Sequence, residues 1–210
     1  MKKYNPFPID IYKVKCKNHN AIKQYMMKHV YPDFSKNGPN KSNSQNIYTD
    51  YLPGNTAMVH WPYVYDLYQE DVKNILEDIG FNLSDGWKIT LKGWYNFTEH
   101  NSEEFFHDHI GGASQITYSF VHYVNLEDTH GTVFSNPNMK LIRGTSPTKD
   151  MRFLPNCFLN DREYVDVNEG DMLFFPSWLE HSAPAHTNNT LRAVNAVNVM
   201  LRNTNDKDGL

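Results

Sequence analysis

Residues 170–184 have the sequence GDMLFFPSWLEHSAP, in which an apolar run leads directly to a histidine. The run has the aliphatic and aromatic side chains of a buried strand, and the turn sequence NEGD precedes it. His181 follows the run at a strand end, where functional side chains are commonly placed. The stretch therefore predicts a core strand that presents His181 to a site.

The rest of the C-terminal half has a similar pattern of short apolar runs. Short β-branched or aromatic runs alternate with Gly, Pro, Asn and Asp over about 115 residues. The runs are WKITLKGWYNF, SQITYSFVHYVN, GTVFSN, REYVDV, DMLFFPS and LRAVNAVNVML. This many short strands predicts a β-barrel or a β-sandwich, and periodicity alone does not separate the two.

The N-terminal part has a different pattern. NPFPIDIYKVKC alternates like a short strand, and NHNAIKQYMMKHVY has helical spacing. YVYDLYQEDVKNILEDIG predicts the longest helix, with Gly80 as its C-terminal cap, and the polar segment from Ser35 to Asn55 predicts a long loop that could act as a lid. We expect one domain over 1–210, with a helical flank and loop at 1–85 and a β-barrel core at 86–203.

Composition limits the classes of function. The 210 residues carry a net charge of −4 and are 40% hydrophobic, which is typical of a globular domain and disfavours a nucleic-acid partner. Cys16 and Cys157 suit two free thiols in a reducing compartment. The sequence has no signal peptide and no membrane span, so we expect a cytoplasmic protein. The abundance of Asn, Lys and Tyr is typical of an AT-rich genome such as that of a phage, which would place the protein in the host cytoplasm.

Two more histidines lie in FFHDHIGG, residues 105–112. Along a strand, residues i and i+2 point to the same side, so His107 and His109 can bind one ion while Asp108 faces away. An HxH pair alone is more often a surface or packing feature than a metal site. A metal site therefore needs a further ligand from elsewhere in the chain.

His181 supplies that ligand, and Arg192 follows eleven residues after it. The strand pattern around Arg192 would bury its guanidinium among Leu, Val and Ala, and no acidic residue lies near it in sequence. A buried guanidinium needs an anionic partner, and the carboxylate of a ligand would serve because Arg binds carboxylates through two hydrogen bonds.

The order of these residues resembles the 2-oxoglutarate/Fe(II)-dependent oxygenases, whose pattern is HxD/E, a distant His and then Arg. It is more narrowly similar to a branch of small bacterial and phage oxygenases with W-x-N, HxH, FPSWLxH and R. The matching segments are 94–96, 107–109, 119–124, 131–137, 170–184 and 192–198. The resemblance implies a mainly β fold, a double-stranded β-helix (a jelly-roll or cupin-like barrel) with flanking N-terminal helices.

The resemblance also implies a metal centre and a reaction. Fe(II) would be held by His107, His109 and His181, with open coordination positions for 2-oxoglutarate and O2. The enzyme would be a dioxygenase, by expectation a hydroxylase, that converts 2-oxoglutarate to succinate while it oxidises its substrate.

The same resemblance assigns the co-substrate contacts. Arg192 would pair with the distal carboxylate of 2-oxoglutarate, and together with the three histidines it would make up the catalytic residues. Tyr123 and Asn96 lie on neighbouring predicted strands from which related enzymes contact the co-substrate, and Asn198 matches the last residue of the branch motif. We expect all four residues to bind 2-oxoglutarate.

The chain departs from the family pattern at two places. The common second ligand is Asp or Glu, and here it is His109. Asp108 could ligate instead if the strand bulges, or His109 could be the first ligand with Gly111 in the carboxylate position, as in Fe(II) halogenases. Val194 and Ala196 replace two serines of the branch motif, which removes hydroxyl groups often used on the co-substrate.

Other functions compete with this interpretation. A metal cupin would also use HxH, although the expected Glu after it is missing and Ala185 stands where the motif has Asn. A non-catalytic binding barrel and a nucleic-acid demethylase are further alternatives. For an oxygenase we expect a small-molecule or peptide substrate, no membrane partner, and a chain able to form a homodimer.

Overall fold

The computed structural model describes residues 9–32, 47–49, 60–98, 103–110, 116–127, 130–138, 162–185 and 189–205. Within these ranges the helices are α1 (His19–Tyr25), a π-helical turn (Met26–Val30) and α2 (Trp61–Ile79). The strands are β1 (Tyr12–Lys15), β2 (Ile47–Thr49), β3 (Trp87–Thr98), β4 (Glu104–His107), β5 (Ile116–Asn125), β6 (His130–Ser135), β7 (Arg162–Asp166), β8 (Asp171–Pro176), β9 (His181–Ala183) and β10 (Arg192–Asn203).

The strands form two antiparallel sheets. The larger sheet has the order β1-β8-β5-β10-β3-β2, and the smaller has the order β4-β9-β6-β7. Apolar side chains of both sheets meet in one cluster, in which Phe134 of β6 packs edge-on against Phe175 of β8 with ring centroids 5.0 Å apart. The predicted fold class, a mainly β double-stranded β-helix with flanking N-terminal helices, is confirmed.

β10 lies in the middle of the larger sheet, and its first eight residues are all buried. Because side chains alternate along a strand, Ala193, Val197 and Val199 join the apolar cluster on the helical side of the sheet. Val194 faces the other way, into the cluster between the two sheets. Each face of β10 therefore contacts a different hydrophobic core.

α2 covers the outer face of the larger sheet at close range. The Trp61 ring stacks on Tyr95 with centroids 4.1 Å apart, and the backbone N–H of Gly93 donates to the Tyr65 hydroxyl at 2.8 Å. A Cβ on Gly93 would lie 2.8 Å from the Trp61 ring, so glycine permits this approach. Gly80 caps α2 at φ 110°, in the left-handed conformation, as the sequence predicts.

A chain of buried and half-buried polar groups crosses the interface between the helices and the sheet. The Tyr68 hydroxyl lies 2.7 Å from His122 Nδ1, and His122 Nε2 lies 3.1 Å from His19 Nδ1. Asn195 Nδ2 donates to the Tyr68 hydroxyl at 2.7 Å, and His19 Nε2 lies 3.4 Å from a Glu169 carboxylate oxygen. Burial lowers the pKa of His122 well below its usual value, so a neutral imidazole links these groups.

The N-terminal region contributes two strands to the larger sheet, β1 in the segment predicted as a short strand and β2 in the segment predicted as a loop. β1 pairs with β8 at one edge of the larger sheet, and β2 pairs with β3 at the other. The expectation of an unbroken loop from Ser35 to Asn55 is therefore wrong at Ile47–Thr49, where main-chain pairing to β3 replaces loop structure. The rest of that segment lies outside the described residues, so its predicted role as a lid stays a prediction.

Cys16 is a buried free thiol, and burial raises its pKa to about 12. Cys157 lies outside the described residues. Among the helices in the described ranges, none combines the length and apolar character that crossing a bilayer requires.

Candidate metal centre

Three histidines meet at one end of the smaller sheet. His107 ends β4 and lies directly opposite His181, the first residue of β9, in the antiparallel register. His109 lies beyond the end of β4, where its backbone N–H donates to the Ser177 carbonyl at 2.9 Å. One ring nitrogen from each histidine can be chosen so that all three lie within 4.8 Å of one another. The three predicted ligands are thus brought together, two of them at strand ends and His109 just outside a strand.

The outer nitrogens of the rings fix which nitrogen faces the centre. His107 Nδ1 lies 2.8 Å from the Phe105 carbonyl, and His181 Nδ1 lies 2.8 Å from the Leu179 carbonyl. A carbonyl can only accept, so each Nδ1 carries the proton and each Nε2 keeps a lone pair. His109 Nδ1 likewise contacts the side chains of β5 and β10. All three Nε2 atoms are therefore available to a cation.

Burial keeps the imidazoles of His109 and His181 neutral. Burial, together with the nearby charge of His107, lowers the pKa of His109 to about 4 and that of His181 to about 3. The ring of Phe175 packs against His181 at 4.7 Å between centroids, and Trp94 packs edge-on against His109 at 5.5 Å. Neutral imidazole is the form that ligates a metal, so neither His109 nor His181 has to lose a proton at neutral pH.

Asp108 points away from the histidines. Its side chain is exposed, and a carboxylate oxygen accepts a hydrogen bond from the backbone N–H of Ile110 at 3.0 Å. This geometry matches the expectation that Asp108 faces away, and it gives no support to the alternative of Asp108 as a ligand. Gly111, the other alternative, lies outside the described residues.

Arg192 begins β10, and its side chain is 4% exposed in the same cavity. Nη1 lies 3.5 Å from the Pro184 carbonyl, and Cζ lies 5.8 Å from the centroid of the Tyr123 ring. Among the described residues, no carboxylate forms an ion pair with this guanidinium. A buried guanidinium that forms no ion pair within the described residues can accept an anionic ligand.

Tyr123 and Asn198 have hydroxyl and amide groups that already have protein partners. The Tyr123 hydroxyl accepts a hydrogen bond from the backbone N–H of Thr132 at 2.8 Å and lies 2.7 Å from the Thr132 hydroxyl. Asn198 Oδ1 lies 2.6 Å from His109 Nδ1. Both residues are buried beside the cavity, so their predicted contacts with the co-substrate stay predictions.

The cavity around the histidines is a small pocket that is partly open to solvent. Asn96, a predicted co-substrate residue, lines it from β3, opposite Val194 in the pairing with β10. Val194 and Ala196 also line it, which places these departures from the motif inside the site.

Three residues of this region were not predicted from the sequence. Ser119 lies 2.7 Å from His109 Nδ1, and Thr132 lines the cavity next to Tyr123. Glu104 also lines the cavity, and burial raises the pKa of its carboxyl against the opposing effects of His107 and Arg192. The only signal available was that Ser119 and Glu104 lie on strands next to predicted ligands.

The donor set fits a divalent transition metal. Imidazole nitrogen suits Fe, Zn, Cu and Ni, and three such donors on one side leave the opposite side of an ion open to other ligands. His107, His109 and His181 could hold the ion, while Arg192 lies in the same cavity as a positively charged group for an anion. The cavity can thus bind a metal ion and a carboxylate-bearing molecule together.

Comparison with known proteins gives the same picture. A family model described as "Putative 2OG-Fe(II) oxygenase" matches residues 92–198. No curated protein sequence gives a significant match.

Several solved structures share the fold at low sequence identity. A prolyl-4-hydroxylase from Pseudomonas putida has a TM-score of 0.53 at 11% identity, covering 91% of this chain and 92% of that one. AviO1 from Streptomyces viridochromogenes Tue57 has a TM-score of 0.56 at 12% identity, covering 91% and 90%. HygX from Streptomyces hygroscopicus, with nickel and 2-oxoglutarate bound, has a TM-score of 0.53 at 11% identity, covering 91% and 83%.

At these identities the structural likeness shows the fold. The family model goes further, because it spans just over half of the 210 residues and includes the three histidines and Arg192. The chain therefore belongs to the 2OG-Fe(II) oxygenase family and is a 2-oxoglutarate-dependent oxygenase that uses Fe(II).

Proposed function

We propose that this oxygenase is a hydroxylase whose Fe(II) is held by His107, His109 and His181 and whose 2-oxoglutarate is held by Arg192. The observation that carries the proposal is one cavity with three converging imidazoles and a buried guanidinium that has no carboxylate partner among the described residues. When bound, Fe(II) and 2-oxoglutarate supply the oxidising chemistry, in which O2 is consumed, 2-oxoglutarate becomes succinate and CO2, and the substrate gains a hydroxyl group.

The protein's first contribution is to hold the three rings before any metal arrives. Carbonyl groups fix the tautomers of His107 and His181, and their cross-strand pairing fixes the separation of the two rings. Such preorganisation reduces the ordering cost of metal binding, because little conformational freedom remains to be lost.

Its second contribution is to position the co-substrate. The Arg192 guanidinium can bind the distal carboxylate through two parallel hydrogen bonds. Tyr123 lies beneath the guanidinium and is itself held by Thr132, so it limits the directions that the Arg192 side chain can take. We propose that Tyr123 acts mainly through this contact, while Asn96 and Thr132 present polar groups to the cavity.

Charge supports co-substrate binding at a three-histidine site. Neutral ligands leave the metal with its full charge of two, so the centre is one charge more positive than a site with two histidines and a carboxylate. Attraction for a dicarboxylate is therefore stronger, in a cavity where low dielectric strengthens electrostatic interactions. This attraction can compensate for the hydrogen bonds to the co-substrate that Val194 and Ala196, which have no hydroxyl group, cannot make.

We propose a small-molecule or peptide substrate for this site. Aromatic side chains close in sequence to His107 and His181 support this. Phe105 and Trp178 are 66% and 44% exposed, and the Phe106 ring packs beneath Arg162 with 4.9 Å from Cζ to the ring centroid. Exposed aromatic side chains offer stacking and apolar contacts to such a molecule. Nucleic acid is not proposed as a partner, given the net charge of −4. A cytoplasmic location and a homodimer remain proposals.

One titration tests the proposed function. Anaerobic protein with Fe(II) should develop a weak visible charge-transfer band when 2-oxoglutarate is added, and succinate should form when O2 is admitted. Arg192→Met should need far more 2-oxoglutarate to give the same band. Bound iron without a band would exclude the proposed co-substrate and favour a metal cupin.

Metal affinity tests the ligand set with a matched pair. His109→Ala should weaken Fe(II) binding by more than about tenfold because it removes a ligand. Asp108→Asn, one residue away and exposed, should leave the affinity unchanged. His109→Asp should keep the metal, since a carboxylate also binds Fe(II). Equal affinities of His109→Ala and the unaltered protein would show that His109 is not a ligand.

A further inference from the structure

The three histidines differ in what holds their outer nitrogen. His107 and His181 each donate Nδ1–H to a main-chain carbonyl two residues earlier in their own segment. Within the described residues no main-chain carbonyl contacts His109 Nδ1, which lies against two side chains of the larger sheet instead. The orientation of this one ring therefore depends on groups that substitution can remove.

The two side chains are Ser119 of β5 and Asn198 of β10. Ser119 Oγ lies 2.7 Å from His109 Nδ1, and Asn198 Oδ1 lies 2.6 Å from the same nitrogen. Ser119 Oγ also donates to Asn198 Oδ1 at 2.9 Å. The three polar atoms thus form a closed triangle in which the amide oxygen accepts from both partners.

Only one corner of the triangle can decide the tautomer of His109. A hydroxyl can donate or accept, so Ser119 is compatible with either tautomer. An amide oxygen only accepts, so Asn198 Oδ1 requires the proton to be on Nδ1. That leaves the lone pair on Nε2, the atom directed toward the other two histidines.

The triangle is built on the two buried central strands of the larger sheet. Asn198 and Ser119 are direct partners in the pairing of β10 with β5, and they are 7% and 1% exposed. His109, in contrast, lies outside any strand and is tied to the sheet by its backbone bond to Ser177. The strand pair therefore supplies the fixed reference against which the His109 ring is oriented.

We infer that Asn198 is a positioning residue for the metal centre: its amide oxygen fixes His109 in the tautomer that presents Nε2 to Fe(II). Ser119 supports it by holding the amide in place. This inference rests on the proposed ligation by His109, and it replaces the expected contact between Asn198 and 2-oxoglutarate with a contact to a ligand.

A shape-matched pair of variants tests the inference. Leu and Asp both approximate the size of Asn, but only Asp keeps an acceptor. In a Co(II) absorption titration, Asn198→Leu should weaken affinity about 10–100-fold, the usual effect of losing an outer partner of a metal ligand. Asn198→Asp should stay close to the unaltered protein, and Ser119→Ala should show a smaller loss than Asn198→Leu. The affinity of Co(II)-saturated protein for 2-oxoglutarate should change much less than the affinity for the metal.

A second measurement reports the tautomer itself. Long-range ¹H–¹⁵N NMR spectra of the metal-free protein should show His109 protonated at Nδ1 in the unaltered protein and in Asn198→Asp. In Asn198→Leu the signals should shift toward a mixture of tautomers. Thermal melting and the dispersion of the same spectra check that each variant is folded, and Asn198→Ala replaces Asn198→Leu if the latter fails to fold.

The outcomes separate this inference from the proposed function. If Asn198→Leu keeps its Co(II) affinity and raises only the dissociation constant of 2-oxoglutarate, Asn198 contacts the co-substrate and the inference is wrong. An unchanged tautomer in Asn198→Leu would also overturn it. If instead His107→Ala and His181→Ala keep full Co(II) affinity, the three-histidine centre itself is wrong.

Discussion

Arg192 has five N–H donors, and the structure gives it one carbonyl contact at 3.5 Å from Nη1 and an aromatic ring beneath Cζ. This guanidinium is 4% exposed and lines the cavity, so N–H donors remain available to a ligand there. A planar carboxylate can accept two parallel hydrogen bonds from such a group.

Replacing Arg192 should therefore affect the co-substrate more than the fold. Arg192→Met should raise the KM for 2-oxoglutarate about 10–100-fold, the value of a charge-assisted hydrogen-bonded pair. Steady-state succinate formation at varied 2-oxoglutarate measures this. Arg202→Met is the matched control, since Arg202 is an exposed residue of the same strand and should leave KM unchanged. Similar KM values for the two variants would contradict the assignment.

Among the elements, β10 joins the site to the helical layer. Arg192 and Val194 line the cavity on one face, while Asn195 and Val197 contact the helical side on the other. A shift of α2 could therefore reach the site through β10, and also through β3, where Tyr95 contacts Trp61 and Asn96 lines the cavity. The close contact of Trp61 with Gly93, which pairs with Val197, is where α2 approaches this sheet.

Gly93→Ala should destabilise the protein by about 1–3 kcal/mol, since the added methyl would lie 2.8 Å from a buried Trp61 ring. Gly80→Ala is the comparison, because its added Cβ meets no atom within 4 Å and suffers only the strain of φ 110°. That strain costs about 1 kcal/mol. Urea denaturation of both variants measures the difference, and a smaller loss for Gly93→Ala than for Gly80→Ala would show that α2 can move away freely.

The elements also show what the sequence can predict. The six β runs, α2 and its Gly80 cap follow from local periodicity, and the structure has each of them. β2 and β9 have three residues each, and their pairing partners are distant in sequence, so they leave no local pattern.

The site residues likewise divide into those that the sequence pattern predicts and those that only tertiary contacts bring together. HxH, His181 and Arg192 stand out by residue type and order, and the structure places them in one cavity. Ser119 and Thr132 are ordinary strand residues, and only the register of β5 with β10 and the approach of β6 to Tyr123 bring them to the site. The direction of the Tyr123 hydroxyl likewise depends on that tertiary contact.

Across the whole molecule, the helical layer is attached to the larger sheet by polar groups as well as apolar ones. His122 is fully buried between Tyr68 and His19, and it is neutral in the folded protein. On unfolding it regains an ordinary pKa near 6.5. Between that value and its lowered pKa in the folded state, the unfolded chain binds more protons, so acid favours unfolding.

The free energy of unfolding should accordingly fall as pH decreases below about 6.5, by up to about 1.4 kcal/mol per pH unit for each such histidine. Urea denaturation of the metal-free protein between pH 8 and pH 5.5 measures this slope. His122→Gln should be less stable at pH 8 but should show a shallower slope, because one of the contributing groups no longer titrates. His109 and His181 keep the slope above zero. An identical slope in the variant would mean that His122 is solvated in the folded state.

The amide of Asn198 has a consequence for how the ligand at position 109 could be substituted during evolution. A carboxamide has an acceptor at one end and a donor at the other, and a half-turn about one bond exchanges them. Facing His109 it offers oxygen to an N–H, and facing an Asp at the same position it could offer N–H to a carboxylate oxygen. Position 109 could then pass between histidine and carboxylate in a single mutational step, without a second compensating substitution. His109, the ligand that departs from the common family pattern, is thus the one whose hydrogen-bond partner, Asn198, could serve either histidine or aspartate.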